Sequence, residues 1–244
     1  MKLKERLKKD IRLWIRSLAD LFLSRECLCC GRPMEAFEDG VCTFCLAELP
    51  ASYTWTSEES SADKTFWGRT RIEKVTSLFL YNGNYRNLVY SIKYEGNIRL
   101  GLRLGKMLGG FIAENDIDLI LPVPLHPRKK RKRGYNQSEV IGRGILLALK
   151  ERGFCVKMET RLLKRSSFTL TQTRKDRADR WTNVRNAFRI NPERAARLTS
   201  NGKVPHFLIC DDVLTTGATL DACASLLHEA INCRISIATL AYVP

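Results

Sequence analysis

Two adjacent carboxylates, Asp211 and Asp212, stand between an apolar run and a loop rich in threonine. The run Phe207–Cys210 is typical of a strand buried on both faces, and we expect the acids to end that strand. Apolar residues after the loop recur at helical spacing and predict a helix. The loop therefore joins a strand to the amino end of a helix, where free backbone N–H groups and the helix dipole favour an anion.

The loop residues are candidates for holding a phosphate dianion: Thr215, Thr216, Gly217, Ala218 and Thr219. Three hydroxyls and successive backbone N–H groups can donate to phosphate oxygens, and a glycine lets the backbone approach closely. The carboxylates repel a second anion but accept hydrogen bonds from hydroxyls. A ligand with a phosphate and a nearby vicinal diol, such as ribose 5-phosphate, meets both demands. The alternative is structural: the acids only end a strand, and Thr216 only caps a helix.

Four cysteines in two C-x-x-C pairs are candidate metal ligands: Cys27, Cys30, Cys42 and Cys45. Each pair brings two thiolates within reach of one tetrahedral ion, and four soft ligands favour zinc. A loop this short is expected to need the ion for folding, so the site is predicted to be structural. Cys29 could replace Cys27 or Cys30. Two disulfides or an iron–sulfur cluster are the alternatives to zinc.

The formal net charge of +15 is concentrated in one part of the chain. Residues 126–189 contain 19 Lys and Arg against 5 Asp and Glu, whereas the remainder is nearly balanced. This distribution implies a polyanionic partner there, such as pyrophosphate or nucleic acid. Five cations in its densest run are candidate nucleic-acid contacts: Arg128, Lys129, Lys130, Arg131 and Lys132. The alternative is a solvated, mobile loop.

The elements around these residues alternate between strand and helix patterns. Strands are predicted over 75–81, 118–124, 155–163, 207–210 and 235–242, and helices over 85–94, 100–113 and 219–232. Asn136 is a predicted N-cap, with Glu139 three residues later, for a further helix after the basic run. Lys93 lies near the end of the first helix and could face either solvent or a pocket. Ligands of parallel sheets bind at the carboxyl ends of the strands, where the basic run follows Pro124.

Four segments are predicted along the 244 residues. Residues 1–25 form an amphipathic basic helix, 26–50 a zinc module with four cysteine ligands, 51–70 a polar linker and 71–244 the α/β domain. Charges interrupt the apolar residues of 1–24, so neither a membrane span nor a signal peptide is predicted. We expect its apolar face to pack on the protein, with binding at a membrane surface as the alternative.

The thirteen residues from Phe207 to Thr219 resemble the signature of the type I phosphoribosyltransferases. A narrower resemblance, to the ComF competence-protein family, covers nearly the whole chain from Cys27 onward. It is carried by the cysteine pairs, by Leu121–Pro127 followed by cations and Arg133–Gln137, and by the acidic pair with its loop. The resemblance implies an α/β fold in which helices cover both faces of a parallel sheet, together with a small N-terminal zinc module held by four cysteines.

The resemblance also implies roles for individual residues. Asp211 and Asp212 would hold the ribose 2′ and 3′ hydroxyls of phosphoribosyl pyrophosphate (PRPP), and the loop 215–219 its 5-phosphate. The pyrophosphate would be contacted by Arg133, Gly134, Asn136 and Gln137. A mobile loop would close over the ligand with Gln172, Arg174, Arg177 and Arg180. The alternative for that Arg-rich stretch is an ordinary basic surface loop.

The function implied by the resemblance is PRPP binding in DNA uptake and natural transformation, with single-stranded DNA bound in the cytoplasm. Magnesium would accompany PRPP, and proteins of the DNA-uptake machinery would be partners. Two alternatives are an active phosphoribosyltransferase, a glycosyltransferase with an unknown nucleobase or amine acceptor, and a non-catalytic PRPP sensor. The three histidines are scattered, so no Ser/His/Asp set is expected. The aromatics available to stack bases in the basic region are Tyr135, Phe154, Phe168, Trp181 and Phe188.

Overall fold

The computed structural model describes residues 25–35, 37–56, 60–113, 116–166, 187–199 and 202–244. Apart from its last residue, the amphipathic helix predicted over 1–25 lies outside the described residues. The mobile-loop candidates Gln172, Arg174, Arg177 and Arg180 lie outside them as well. Across the described ranges, no helix has the length and apolar character needed to cross a membrane.

The described elements alternate along the chain as the sequence predicts. The helices are α1 Thr43–Ala47, α2 Ser61–Lys64, α3 Arg86–Tyr94, α4 Ile98–Gly110, α5 Pro127–Arg133, α6 Gln137–Glu151, α7 Pro192–Thr199 and α8 Ala218–Ala230. The strands are β1 Val75–Leu80, β2 Leu119–Pro122, β3 Lys157–Met158, β4 Leu163–Arg165, β5 Phe188–Ile190, β6 His206–Leu214 and β7 Arg234–Tyr242. A 3₁₀ turn, Gly83–Tyr85, leads into α3.

Five strands form a parallel sheet in the order β1-β7-β6-β2-β3. Successive residues of a strand point to opposite faces, so Leu208 packs with α4 and α6 in one core while Phe207 packs with α8 in the other. This double burial explains the continuous apolar run of β6. The predicted fold class, a parallel sheet with helices on both faces, is confirmed.

The chain leaves neighbouring strands β2 and β6 in opposite directions. From β2 it passes through α6 to the edge strand β3, and from β6 it passes through α8 to β7 on the other side. Because such crossovers are right-handed, opposite directions place α6 and α8 on opposite faces. A crevice therefore opens beyond the carboxyl ends of β2 and β6, the position where open α/β sheets bind ligands.

The expectation that the acidic pair ends its strand is wrong. β6 continues to Leu214, which pairs with Tyr242 of β7. On its other side β6 loses its neighbour earlier, because β2 stops at Pro122 opposite Cys210. Asp211 and Asp212 thus follow directly after the last pair with β2, and the crevice begins at their side chains.

Two further boundaries differ from the sequence pattern. The basic run, predicted as a loop before a helix, itself forms α5, with Pro127 in the first turn and Gly134 ending it in the left-handed conformation at φ 85°. Proline at the start and glycine at the end are the usual signals of a helix, and they outweigh the repulsion between cations. The strand predicted over 155–163 is divided between β3 in the main sheet and β4, which pairs with β5 in a separate antiparallel ribbon.

The described part of the stretch 51–70, predicted as a linker, is attached to the domain. The Thr54 hydroxyl accepts the backbone N–H of Ser77 at 2.8 Å, and the Asp63 carboxylate accepts that of Val75 at 2.7 Å. The hydroxyls of Thr70 and Ser225 are 2.6 Å apart, which joins the end of the stretch to α8. Polar residues without periodicity here satisfy backbone groups of β1 rather than form a flexible connection.

Candidate functional site

The two carboxylates at the crevice have different environments. Asp211 Oδ1 accepts the Ser138 hydroxyl at 2.8 Å and the backbone N–H of Asp212 at 2.9 Å. Asp212, only 5% exposed, accepts the ammonium group of Lys93 at 2.7 Å through Oδ1. Its Oδ2 atom is buried and has no hydrogen-bond partner among the described residues. Since buried polar atoms are nearly always paired, this oxygen indicates a ligand that supplies a hydroxyl or a cation.

The charges of this pair are coupled to their surroundings. Burial and the neighbouring Asp212 raise the pKa of Asp211 to about 7, although the Ser138 hydroxyl and Lys93 act in the opposite direction. Burial disfavours the charged form of Lys93, but the two carboxylates outweigh it and raise the pKa of the ammonium group. Lys93, which the sequence leaves between solvent and a pocket, belongs to this site.

The loop from Thr215 to Thr219 forms a small hollow at the start of α8. The hollow measures about 50 Å³ and is lined by that loop together with Asp211, Val213 and Leu220. Gly217 has φ 75°, and a Cβ at this position would lie 2.9 Å from the Thr65 side chain. Both facts require glycine. The segment carrying Thr65 therefore supports the loop from behind, and free N–H groups at the helix start face the hollow.

A larger cavity of about 180 Å³ adjoins the carboxylates. Four cations belong to its wall, contributed by two helices and one strand: Lys93 from α3, Lys129 and Arg133 from α5, and Arg165 from β4. The remaining lining residues are Tyr94, Val123, Pro124, Leu125, Gln137, Asp211, Asp212 and Thr219. Cations facing the acidic pair suit an anion beside a diol, because the cations then pair with the anion and the carboxylates accept hydrogen bonds from the hydroxyls. Arg165 was not among the residues predicted from sequence.

Helix α5 divides the basic run between two surfaces. Residues four apart share one side of a helix, and Lys129 and Arg133 are the half-buried pair at the cavity. Arg131 and Lys132 are exposed, and Lys130 pairs with Glu139 at 2.9 Å. Arg128, the remaining nucleic-acid candidate, is also exposed. Lys129, assigned from sequence to nucleic acid, instead faces the cavity, where burial and the cations Arg165, Arg133 and Lys93 lower its pKa. An anion in the cavity would relieve this repulsion.

The residues predicted to contact pyrophosphate divide into two groups. Arg133 and Gln137 line the cavity, and the Arg133 guanidinium donates to the Gln137 side-chain oxygen. Asn136 is buried and uses both ends of its amide within the protein: it donates to the Val123 carbonyl at 3.0 Å and accepts the Ser138 N–H at 3.2 Å. Gly134 ends α5. Asn136 and Gly134 therefore shape the loop. The N-cap at Asn136 is confirmed, but Glu139 pairs with Lys130 rather than closing a capping box.

The four predicted cysteine ligands, Cys27, Cys30, Cys42 and Cys45, come together with their sulfur atoms within 4.8 Å of one another. Burial opposes ionisation of Cys27, but N–H groups of Cys42, Cys30 and Cys29 outweigh it and lower the pKa of its thiol to about 6. Burial and the adjacent Cys27 raise the pKa of Cys29 to about 12, so Cys29 remains a neutral thiol. The cluster can hold one metal ion, and four thiolates in this compact arrangement fit zinc.

The cysteine module is fastened to the beginning of α3. The side-chain amides of Asn84 and Asn87 donate to the carbonyls of Cys29 and Leu28 at 2.8 and 2.9 Å. The Tyr85 hydroxyl donates to the Cys45 carbonyl at 3.2 Å. Cys27 and Cys42 also join the same core as Leu88 and Ile92 of α3. The module thus fixes the helix that carries Lys93.

A Ser/His/Asp set that the sequence did not reveal lies at the opposite end of the sheet. His206 Nδ1 is 2.9 Å from Asp116, and its Nε2 is 3.0 Å from the Ser236 hydroxyl. The residues are far apart in the chain, so their spacing gave no signal. Ser236 is fully buried, and a substrate cannot reach its hydroxyl. We interpret the set as structural, because it satisfies buried polar groups between β6 and β7.

Comparisons with known proteins agree with this geometry. The family model described as phosphoribosyl transferase domain matches residues 116–244. The chain is 24% identical over 226 residues to competence protein F of Haemophilus influenzae, which covers 88% of this chain and 90% of that protein. It is 33% identical over 110 residues to DNA utilization protein YhgH of Escherichia coli K12, covering 45% and 43% of the two chains. YhgH of Salmonella typhimurium is 28% identical over 162 residues, or 64% and 66%.

Proposed function

We propose that this chain binds PRPP, acts in DNA uptake and contacts single-stranded DNA. The chain belongs to the phosphoribosyl transferase domain family and, within it, to the ComF competence proteins. The observation that carries the PRPP proposal is the unpartnered Oδ2 of Asp212, which lines the larger cavity, while the adjacent Asp211 also lines the small hollow at the topological switch of the sheet. A carboxylate oxygen that lacks a donor among the described residues, near a helix start suited to an anion, matches the two ends of ribose 5-phosphate.

The proposed binding mode places the 5-phosphate in the hollow made by Thr215–Thr219. The ribose then lies over Asp211 and Asp212. Because Asp212 Oδ2 is buried, the Asp212 side chain must turn toward the cavity for one ribose hydroxyl to donate to this atom. The pyrophosphate extends into the larger cavity, where the cations Lys93, Lys129, Arg133 and Arg165 surround it. Magnesium bound with PRPP would neutralise part of the pyrophosphate charge. We also propose that the cysteine cluster holds a structural zinc ion.

DNA binding is supported by charge and by the names of the relatives. Competence protein F and DNA utilization protein YhgH both carry names that refer to competence or to the use of DNA. In this chain, Arg131 and Lys132 are exposed on the outer side of α5, away from the cavity. These exposed cations do not line the cavity, so they are available to a polyanion outside it.

A second candidate function is an active phosphoribosyltransferase that releases pyrophosphate. The observation that favours it is the set of four cations around the place of the leaving group, since stabilising that charge is the main requirement of displacement at ribose C1. In that reaction the bond from C1 to the pyrophosphate oxygen breaks, and the acceptor forms a new bond to C1. A non-catalytic PRPP sensor would use the same binding contacts without this step. Pyrophosphate release with candidate nucleobases and amines distinguishes the two.

The first test is thermal melting of the full chain with PRPP and magnesium. A ligand present at 100 times its dissociation constant stabilises the native state by about 2.7 kcal/mol, which raises the melting temperature by roughly 5–10 °C in a chain of this size. The double variant Asp211→Ala, Asp212→Ala should show no such rise. No rise in the wild-type protein, or an equal rise in both, contradicts the proposed site.

The DNA proposal is tested separately by salt titration of binding to an oligothymidylate. For single strands the slope of log affinity against log salt is about −0.7 for each phosphate contacted. The variant Arg131→Ala, Lys132→Ala should therefore have a slope that is shallower by about 1.4. A flat dependence in the wild-type protein contradicts direct contact with the DNA backbone.

A further inference from the structure

Two tyrosines project from α3 at the mouth of the larger cavity. Tyr90 and Tyr94 are 54% and 64% exposed, and their ring centroids lie 4.9 Å apart. Their spacing of four places them on one side of the helix, while Leu88 and Ile92 bury the other. Tyr94 also lines the cavity, and the Arg133 guanidinium lies 5.1 Å from its ring centre. The result is an open aromatic surface that adjoins the proposed PRPP site.

The aromatics that the sequence indicated for base stacking do not provide such a surface in the described residues. Phe188 is fully buried, and Tyr135 donates its hydroxyl to the Ile92 carbonyl and is half-buried. Phe154 packs against the core, with the Arg152 guanidinium 4.8 Å from its ring centre. Phe168 and Trp181 lie outside the described residues. The exposed aromatic rings lie instead on α3, which is outside the basic stretch in the sequence but beside it in the fold.

We propose that Tyr90 and Tyr94 form a stacking surface for a nucleobase of single-stranded DNA. The proposal rests on the proposed DNA-binding function and assigns residues to it. Aromatic rings stack on bases of any sequence because every base has a π-face, and a neighbouring arginine adds a cation–π contribution. Exposed aromatic rings beside cations match a strand that carries both bases and phosphates, whereas an apolar protein partner would not need those charges.

The position of the surface also orients the strand. Arg133 touches Tyr94 and is the last residue of α5, directly after the exposed Arg131 and Lys132. A base on the tyrosines therefore leaves its phosphates next to the outer side of α5. On the same helix as the tyrosines, Lys93 reaches Asp212, so the base lies beside the cavity proposed for PRPP rather than at a distant surface.

The experiment compares two oligomers of equal length, an oligothymidylate and an abasic phosphodeoxyribose chain, by fluorescence anisotropy with the full chain. Stacking of one base contributes about 1–3 kcal/mol, so the variant Tyr90→Ala, Tyr94→Ala should bind oligothymidylate at least roughly fivefold more weakly. Its affinity for the abasic oligomer should change by less than about twofold, since that oligomer has no base to stack. The variant Tyr90→Phe, Tyr94→Phe keeps the rings and should bind like the wild type. Tyr53→Ala, which removes another exposed aromatic, is the matched control.

Several results would overturn the inference. One is unchanged oligothymidylate affinity in the alanine variant, and another is an equal loss for both oligomers, which indicates a structural role. Free uridine is measured as a third ligand. If the alanine variant loses affinity only for uridine and still binds DNA like the wild type, the surface belongs to a small acceptor instead of a strand. If the wild-type protein binds neither oligomer, the DNA part of the proposed function fails and this inference fails with it. If it binds both equally and the alanine variant does the same, only this inference fails.

Discussion

Replacing Asp212 by asparagine changes one hydrogen-bond acceptor while keeping the shape of the side chain. In the structure, one carboxylate oxygen is 2.7 Å from the Lys93 ammonium group and the other is buried without a partner among the described residues. The Asp212→Asn amide can still present an oxygen to Lys93, but its NH₂ group then occupies the place of Oδ2. A ribose hydroxyl that donates to Oδ2 in the wild type would meet another donor in the variant.

The expected loss of affinity follows from the charge of the acceptor. A hydrogen bond to an ionised group contributes about 1.5–3 kcal/mol, which corresponds to roughly 10- to 150-fold in the dissociation constant for ribose 5-phosphate. Stability should also fall, because Lys93 loses its hydrogen-bonded counter-charge and keeps only that of Asp211. Its side chain is 25% exposed, so we expect about 1–3 kcal/mol rather than the full penalty of breaking a buried pair.

Calorimetry with two ligands separates the hydrogen bond from general damage to the site. Ribose 5-phosphate should bind the variant at least roughly tenfold more weakly than the wild type, whereas 2,3-dideoxyribose 5-phosphate, which lacks the diol, should bind both proteins alike. Glu151→Gln is the control, since it breaks an exposed pair with Lys106 at the far end of α6, about 20 Å along that helix. Equal affinities of wild type and variant for ribose 5-phosphate, or equal losses for both ligands, would refute the assignment of Asp212 to the diol.

Three other predictions concern the metal, the titration of the acidic pair and the loop. The double variant Cys30→Ser, Cys45→Ser should lose one zinc ion per chain by elemental analysis, and an unchanged zinc content would contradict the metal assignment. The variant should also bind PRPP more weakly, because the cysteine module fixes α3. The pKa of Asp211 is raised to about 7, so ionisation of this carboxyl costs the folded protein stability as pH rises from about 4 to 7. The variant Asp211→Asn should therefore raise the melting temperature at about pH 8 but not at about pH 4. Equal effects at both pH values would contradict the raised pKa. Gly217→Ala should destabilise the fold by about 1 kcal/mol or more, because φ at this position is 75° and the added Cβ would clash with the Thr65 side chain. The variant should also lose the PRPP-induced shift in melting temperature, and a retained shift would argue against the hollow as the phosphate site.

Local patterns were sufficient for the parts of the site that one stretch of chain builds. The apolar run of β6, the acids after it and Gly217 before α8 all lie within thirteen residues, and each has a short-range physical signature. The N-cap of α6 at Asn136 is equally local. For α5 the signals were present as well, since Pro127 and Gly134 mark its ends, but the six adjacent cations were interpreted as a basic loop before the next helix.

The site residues that the sequence left open, such as Lys93, or did not indicate are those that tertiary structure brings in from elsewhere. Lys93 is 119 positions before Asp212, and Ser138 is 73 positions before Asp211. A serine or lysine at such a distance has no periodicity that distinguishes it from a surface residue. Arg165, on the β4–β5 ribbon, and Tyr94, at the end of α3, are similar cases, because only the tertiary placement of that ribbon and that helix brings them to the cavity.

Helix α3 connects three features that the sequence presented as separate. Its beginning is held by the cysteine module through Asn84 and Asn87, its middle packs in the core, and its end delivers Lys93 to the acidic pair and Tyr94 to the mouth of the cavity. A rotation or shift of this short helix would move the cation and the aromatic ring together. A metal ion in the cysteine cluster would therefore affect the proposed site only through the placement of α3. In this way a structural module could change ligand affinity without contacting the ligand.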